Sequence, residues 1–165
     1  MIRDAKPGDV EDLARVHVSS WQNAYIGLID QAFLDALNVE TRAERWRALL
    51  DQGRGRLLVV DWDGTVVGFC SLGPAGQGDW GEIYAIYLAP DRWGEGLGRD
   101  LLAAAERSLR SDGHHEALLW VLAGNSRART FYERQGWRLG KPIRLENIGG
   151  VDVTEVRYEK ALGPP

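Results

Sequence analysis

The stretch from Glu82 to Leu109 constrains this chain most: an apolar strand pattern, a turn with three alternate glycines, then an amphipathic helix. EIYAIYLAP leads into Arg92-Trp93-Gly94-Glu95-Gly96-Leu97-Gly98, and Leu97, Leu101, Leu102, Ala105 and Leu109 then recur at helical spacing. Alternate glycines let the backbone turn tightly and leave several N–H groups pointing into one concavity. With the positive end of the following helix, those amides make an anion site suited to a pyrophosphate. On the glycines alone, a strand-to-helix turn without a ligand is an equally good reading.

Two phosphate motifs fail on the residues. A P-loop ends in Gly-Lys-Ser/Thr, but Gly98 is followed by Arg99-Asp100. A dinucleotide fingerprint counted from Gly94 puts Arg99 where its last glycine belongs, and the next strand ends in Leu122-Ala123-Gly124-Asn125 without an acidic residue for a ribose.

Around this stretch the hydrophobic periods order the chain. MIRDA predicts a short strand, and PGDVEDLARVHVSSW a helix whose Val10, Leu13, Ala14, Val16, His17 and Trp21 share an apolar face. A second helical region is expected over Asp30 to Asp51, with a break near Asn38 and an end at QGRGR. LLVVDWDGTVVGFCSLGP reads as two strands joined at Asp63-Gly64, a strong hairpin signal. The GPAGQGDWG loop, the glycine-turn unit, the buried strand ALLWVLA, the helix SRARTFYERQGW and two strands around Gly149-Gly150 complete the order. The fold class is therefore α/β with a mixed sheet and helices on both faces, read as one domain over residues 1–165.

Composition excludes several classes. A net charge of −4 argues against a nucleic-acid binder. Cys70 is alone in the apolar run GFCSL and reads as a small buried hydrophobe, without a disulfide or a cysteine metal site. No leader pattern and no apolar run of the roughly 20 residues a span needs is visible, so a soluble cytoplasmic protein without a membrane partner is expected. His17, His114 and His115 form no triad or metal spacing and read as structural or exposed; no metal is expected.

Leu88-x4-Trp93-x-x-Gly96-x-Gly98 resembles the acyl-CoA motif of the GNAT acetyltransferase superfamily, in which Gln or Arg usually stands where this chain has Trp93. Asn125-x-x-Ala128-x-x-Phe131-Tyr132-x-x-x-Gly136-Trp137 is similar to its second signature, and the element order matches over about Ile2 to Ala161. The resemblance implies the GNAT fold: a mostly antiparallel sheet of about seven strands, splayed between the fourth and fifth. It also implies an acyl-CoA N-acyltransferase that takes acetyl-CoA as co-substrate and passes its acetyl group directly to a primary amine of a small molecule. A non-catalytic acyl-CoA sensor, a protein N-terminal or lysine acetyltransferase, and a homodimer stay open.

By the same resemblance Ile86, Tyr87 and Leu88 offer backbone groups to the pantetheine arm, where a backbone N–H can also stabilise a developing oxyanion. The turn Trp93, Gly94, Glu95, Gly96, Leu97 and Gly98 holds the pyrophosphate, with Arg92 or Arg99 compensating for the Gln or Arg donor that Trp93 replaces. Asn125 hydrogen-bonds the cofactor or caps its helix. Arg127 and Arg129 open that helix against its dipole and are assigned to the cofactor phosphates, a solvated face being the alternative.

Tyr132 is expected to protonate the leaving thiolate, standing seven residues after Asn125 and therefore on the same side of two helical turns. Phe131 is expected to supply the packing. Glu82 is the candidate base, with a solvated strand-start glutamate as the alternative. Even spacing puts Glu82, Tyr84, Ile86 and Leu88 on one face unless a bulge intervenes. Trp21, Tyr25 and Trp80 are expected at the acceptor pocket, where aromatic walls and an acidic group suit a cationic or amphipathic amine.

Overall fold

The computed structural model describes residues 1–53, 55–76 and 78–163. Arg54 of the QGRGR run and Gln77 of the GPAGQGDWG loop lie outside them. Strand β1 (Ile2–Asp4) is followed by a 3-10 turn, Pro7–Asp9, that runs into helix α1 (Val10–Ala24). The long helical region is two helices, α2 (Gln31–Asp35) and α3 (Val39–Gln52). The break falls at Asn38, whose side chain accepts from the Thr41 N–H and so starts α3. Strands β2 (Arg56–Trp62) and β3 (Thr65–Pro74) form the expected hairpin, with Asp63 at φ 51° and Gly64 at φ 83° in the two turn positions.

Strand β4 (Gly81–Leu88) and helix α4 (Leu97–Ser111) flank the glycine turn. Strand β5 (Glu116–Leu122), helix α5 (Ser126–Arg134), β6 (Arg138–Ile148) and β7 (Val151–Ala161) follow. The strands lie in the order β1-β2-β3-β4-β5-β7-β6 in one seven-stranded sheet. Every neighbouring pair is antiparallel except β4–β5.

The β4–β5 ladder is short, and this sets the architecture. Only Gly81–Ala117, Glu82–Leu118 and Ile83–Leu119 pair. Gly81 sits at this paired root because a Cβ there would lie 2.8 Å from Leu109, which α4 brings down onto the sheet. One residue beyond Ile83 the register with β3 shifts, from Leu72–Ile83 to Ser71–Ala85, leaving Tyr84 as a bulge. A bulge bends its strand and increases the local twist, and here β4 leaves β5 at that point.

The bulge also reverses which residues share a face. Ile83, Ile86 and Leu88 pack toward α4, while Ala85 and Tyr87 pack with Phe69 toward α1 and α3. Glu82, next to Ile83 and paired with Gly73 across β3, thus belongs with Ala85 and Tyr87. The even-spacing expectation for Glu82, Tyr84, Ile86 and Leu88 is corrected accordingly, since one extra residue inverts the alternation.

Two cores hold the sheet. On one face Leu101, Leu102 and Leu109 of α4 are fully buried with Tyr132, Trp137 and Tyr158. On the other, Leu13 and Ala14 of α1 and Trp46 of α3 pack on Val59 and Phe69. Each fully buried leucine contributes about 1.5–3 kcal/mol. A third, smaller cluster seats the β6–β7 hairpin on the α1–α2 region through Ile29, Leu34, Phe33, Ile148 and Val153. Its tip is fitted tightly: Gly149 has φ 63°, and a Cβ there would come within 2.5 Å of the Phe33 ring. Gly150 has φ 84° but open space around it. Gly149→Ala should therefore lower Tm, by about 2–4 °C for each kcal/mol lost in a chain of this size, and Gly150→Ala by clearly less, because both carry the left-handed cost and only the first also meets Phe33; paired thermal melts check this.

Candidate active site

Where β4 leaves β5, the gap widens into a cleft of about 1140 Å³. Its edge follows from the ladder. The Ala89 N–H bonds the Val67 carbonyl, so antiparallel alternation turns the backbone of Tyr87 toward β3 and that of Ile86 and Leu88 toward the gap. Ile86 and Leu88 thus present backbone groups there, and Tyr87 presents its side chain. The Leu88 carbonyl is already engaged: it accepts from Ser20 Oγ at 2.7 Å and from Trp93 Nε1 at 3.0 Å.

The glycine turn closes one end of the cleft. Gly94 and Gly96 stand at φ 89° and 83°, a conformation that favours glycine. Gly98 has no such requirement; a Cβ there would make ordinary contact with Leu88 at 3.4 Å, so the position demands only a small residue. The Asp100 N–H is the first to close back into α4, onto the Gly96 carbonyl. The N–H groups of Gly94 to Arg99 make no hydrogen bond among the described residues. They are left unpaired, as an anion site at this turn would require.

Trp93 has a defined role in place of the usual donor. Its indole N–H ties the turn to the end of β4, and the Arg127 guanidinium stacks 3.8 Å above its ring centroid. Arg127 is thereby held at the cleft beside the turn. Arg99 also lines the cleft, next to Asp100. Arg92 turns outward instead, onto the Trp62 ring and toward Asp91 and Glu95, so Arg92 and Glu95 do not line the cleft. Leu97 packs into the α4 core. Arg129 hydrogen-bonds the Tyr158 hydroxyl and the Ala123 carbonyl, which keeps it in the α5–β7 packing and out of the cleft.

Helix α5 brings Asn125 and Tyr132 to the same wall. Asn125 Oδ1 caps the helix through the Ala128 N–H at 3.1 Å, and its amide nitrogen stays free to donate. Tyr132 is more deeply buried than Phe131: its ring packs against Trp137 and Tyr158, and it still borders the cleft. Its hydroxyl makes no hydrogen bond among the described residues. Burial, with the nearby Tyr87 hydroxyl, pushes its pKa well above the ordinary tyrosine value.

On the acceptor side Glu82 borders the cleft with a carboxyl pKa raised by burial, against the opposing pull of Arg144 and with some help from Glu155. Arg144 and Glu155 pair across the β6–β7 hairpin at 2.6 Å, and Arg144 lies over Trp120. These two hairpin residues were not singled out by sequence reading, because exposed-strand charges usually face solvent. The β6–β7 register that places them opposite one another was the missing signal.

Trp21 and Tyr25 line the cleft, Tyr25 sharing a 2.9 Å hydrogen bond with the Tyr87 hydroxyl. Trp80 does not reach it and lies under Arg157. His17 is buried among Trp21, Trp46, Phe69 and Tyr87. Among the described residues no cluster of three potential metal ligands occurs, and no helix is long and apolar enough to cross a membrane.

The sheet thus opens beside an amide-lined turn, with a tyrosine and a glutamate on the walls of the gap. The acetyltransferase (GNAT) family profile matches residues 19–137, and the chain belongs to that family. Its relatives are N-acetyltransferases, and it is an acetyltransferase enzyme. Over 127 residues it is 36% identical to the uncharacterized N-acetyltransferase YuaI of Bacillus subtilis, covering 75% of this chain and 72% of that one. It is 26% identical to the spermidine N(1)-acetyltransferase of Thermoplasma acidophilum, covering 96% of this chain and 97% of the relative. The crystal structure of the PaiA N-acetyltransferase from Thermoplasma acidophilum, solved with coenzyme A, matches with a TM-score of 0.75 at 24% identity, covering 98% of each chain.

Trp93→Ala removes both the Leu88 hydrogen bond and the Arg127 stack. Calorimetric titration with coenzyme A should show Kd raised about tenfold, the loss of one modest hydrogen bond and one cation–π contact.

Proposed function

We propose that the protein transfers the acetyl group of acetyl-CoA directly to the primary amine of a small molecule. The observation that carries this reading is the convergence of the open Ile86–Leu88 edge, the unpaired N–H groups of Gly94, Gly96, Gly98 and Arg99 and the Tyr132 hydroxyl on one cleft. Acetyl-CoA supplies the acyl group as an activated thioester. The donors available to it are those amides, Arg127, Arg99 and the free Asn125 amide. This inventory suits an anionic, elongated cofactor.

Tyr132 is a proton donor in this scheme. With its pKa raised it stays protonated across neutral pH, ready to give its proton to a thiolate leaving from the cleft. Glu82 removes the amine proton, directly or through a water. Its raised pKa makes it a better base than a solvated glutamate. The presence of both groups on the cleft supports turnover over a purely sensing role. The hairpin seated on Phe33 bounds the acceptor side, which favours a small amine over a polypeptide.

Tyr132→Phe should lower kcat about 100-fold or more while the KM for acetyl-CoA stays within a factor of about two; an unchanged kcat removes its acid role. Glu82 also has a stability consequence. Because its folded pKa is raised, its contribution to stability is fully present below about pH 4, near the unfolded value, and is lost as pH rises through the folded value. Glu82→Gln should therefore melt higher than the wild type at pH 8 and not at pH 4. It should also lose the rise of kcat with pH that the carboxylate provides. Paired melts and rate profiles across pH decide both.

A further inference from the structure

Resting on that reading of the cleft, we propose that the acceptor amine also carries an oxyanion, a carboxylate or a phosphate, and that Arg42 with Arg45 on α3 is the subsite that holds it. Both arginines line the cleft on the side of α1 and α3. Elsewhere in the chain arginines near carboxylates are paired: Arg3 with Asp9 and Asp61, Arg47 with Glu11, Arg56 with Asp4, and Arg144 with Glu155. Arg42 and Arg45 make no ion pair and no hydrogen bond among the described residues. Arg42 is half-buried, and its one contact of note is with the Trp21 ring at 5.7 Å, near the outer limit of a cation–π interaction. That contact leaves the guanidinium N–H donors unused.

The electrostatic surroundings favour an incoming anion. Burial and the like charge of Arg45 lower the Arg42 pKa, and the opposing influence comes from the Tyr87 hydroxyl, not from a carboxylate. Beneath them His17 is held neutral, its pKa pushed down to about 3 by burial and then by Arg42 and Arg45. A cation withdrawn from water beside a second cation is costly unless a negative partner arrives, and a guanidinium fork is shaped for a carboxylate or phosphate.

The cleft is dipolar around one marker. The Tyr87 hydroxyl, bonded to Tyr25, is influenced by both Glu155 and Arg42. On one side lie Glu82 and the Arg144–Glu155 pair, where the Glu82 carboxyl draws and deprotonates an ammonium group. On the other lie Arg42 and Arg45. An acceptor with an amine at one end and an oxyanion at the other matches this polarity, with Trp21 and Tyr25 against its apolar part. A polycation would set positive charge against Arg42.

The test compares matched amines with and without the anion: phenylalanine and phenethylamine, lysine and cadaverine, phosphoethanolamine and ethanolamine, with spermidine alongside. Released thiol is the readout. At least one anionic member should exceed its partner tenfold or more in kcat/KM, the discrimination expected of one charge-assisted contact. For that substrate Arg42→Ala should remove about tenfold through KM, with the KM for acetyl-CoA within about twofold, and Arg42→Lys should restore part of it. The Arg42→Ala protein should melt no lower than the wild type, because it loses an uncompensated charge. Equal or better use of the partners that lack the anion, preference for spermidine, no use of any anionic amine, or equal losses for both members of a pair in Arg42→Ala overturns the subsite. Absence of acetyl-CoA binding by calorimetry would instead overturn the proposed function itself, so the two failures are distinguishable.

Discussion

The early end of the β4–β5 ladder is the constraint on which the site depends. Three paired residues hold the strands together at the root, and Gly81 lets Leu109 of α4 press against that root. Immediately afterwards the Tyr84 bulge bends β4 away. A continuous ladder would have hydrogen-bonded Ile86 and Leu88 to β5, leaving no backbone groups for a ligand and no gap to hold one. Parallel pairing makes the opening possible, because no hairpin turn ties the far ends of these two strands together.

The Leu88 carbonyl joins the parts around that opening. It accepts from Ser20 on α1 and from Trp93 in the glycine turn, so the end of β4, the first helix and that turn are registered through one oxygen. Trp93 is a departure from the usual Gln or Arg, and its consequence is indirect. The indole stacks Arg127 and so positions a cation from α5 beside the turn, while Arg92 is drawn outward to Trp62. The Gln or Arg usual in the motif is absent from the turn, and a guanidinium from the next helix stands beside it.

Much of the fold was legible in the sequence. Asp63-Gly64 specifies its own two-residue turn, Asn38 caps α3, and the period of Leu101, Leu102, Ala105 and Leu109 fixes the buried face of α4, all through interactions local to a few residues. The cleft residues were less evenly legible. Tyr132 and Asn125 were readable because helical spacing of seven residues sets their common side. Arg129 and Trp80 were not, since Tyr158 and Arg157, which take them elsewhere, are far along the chain. The pairing of Arg144 with Glu155 depended in the same way on the β6–β7 register.

By itself the sequence determined the order of elements, the glycines at Gly94 and Gly96 that free a row of amides, and the family to which those motifs belong. Each of these rests on local backbone conformation or on a short spacing. The tertiary structure alone decided where β4 parts from β5, which face carries Glu82 after the bulge, and which arginines are paired and which are left facing the cleft. Those outcomes turn on strand register and on contacts between residues distant in sequence, for which a linear pattern holds no distance.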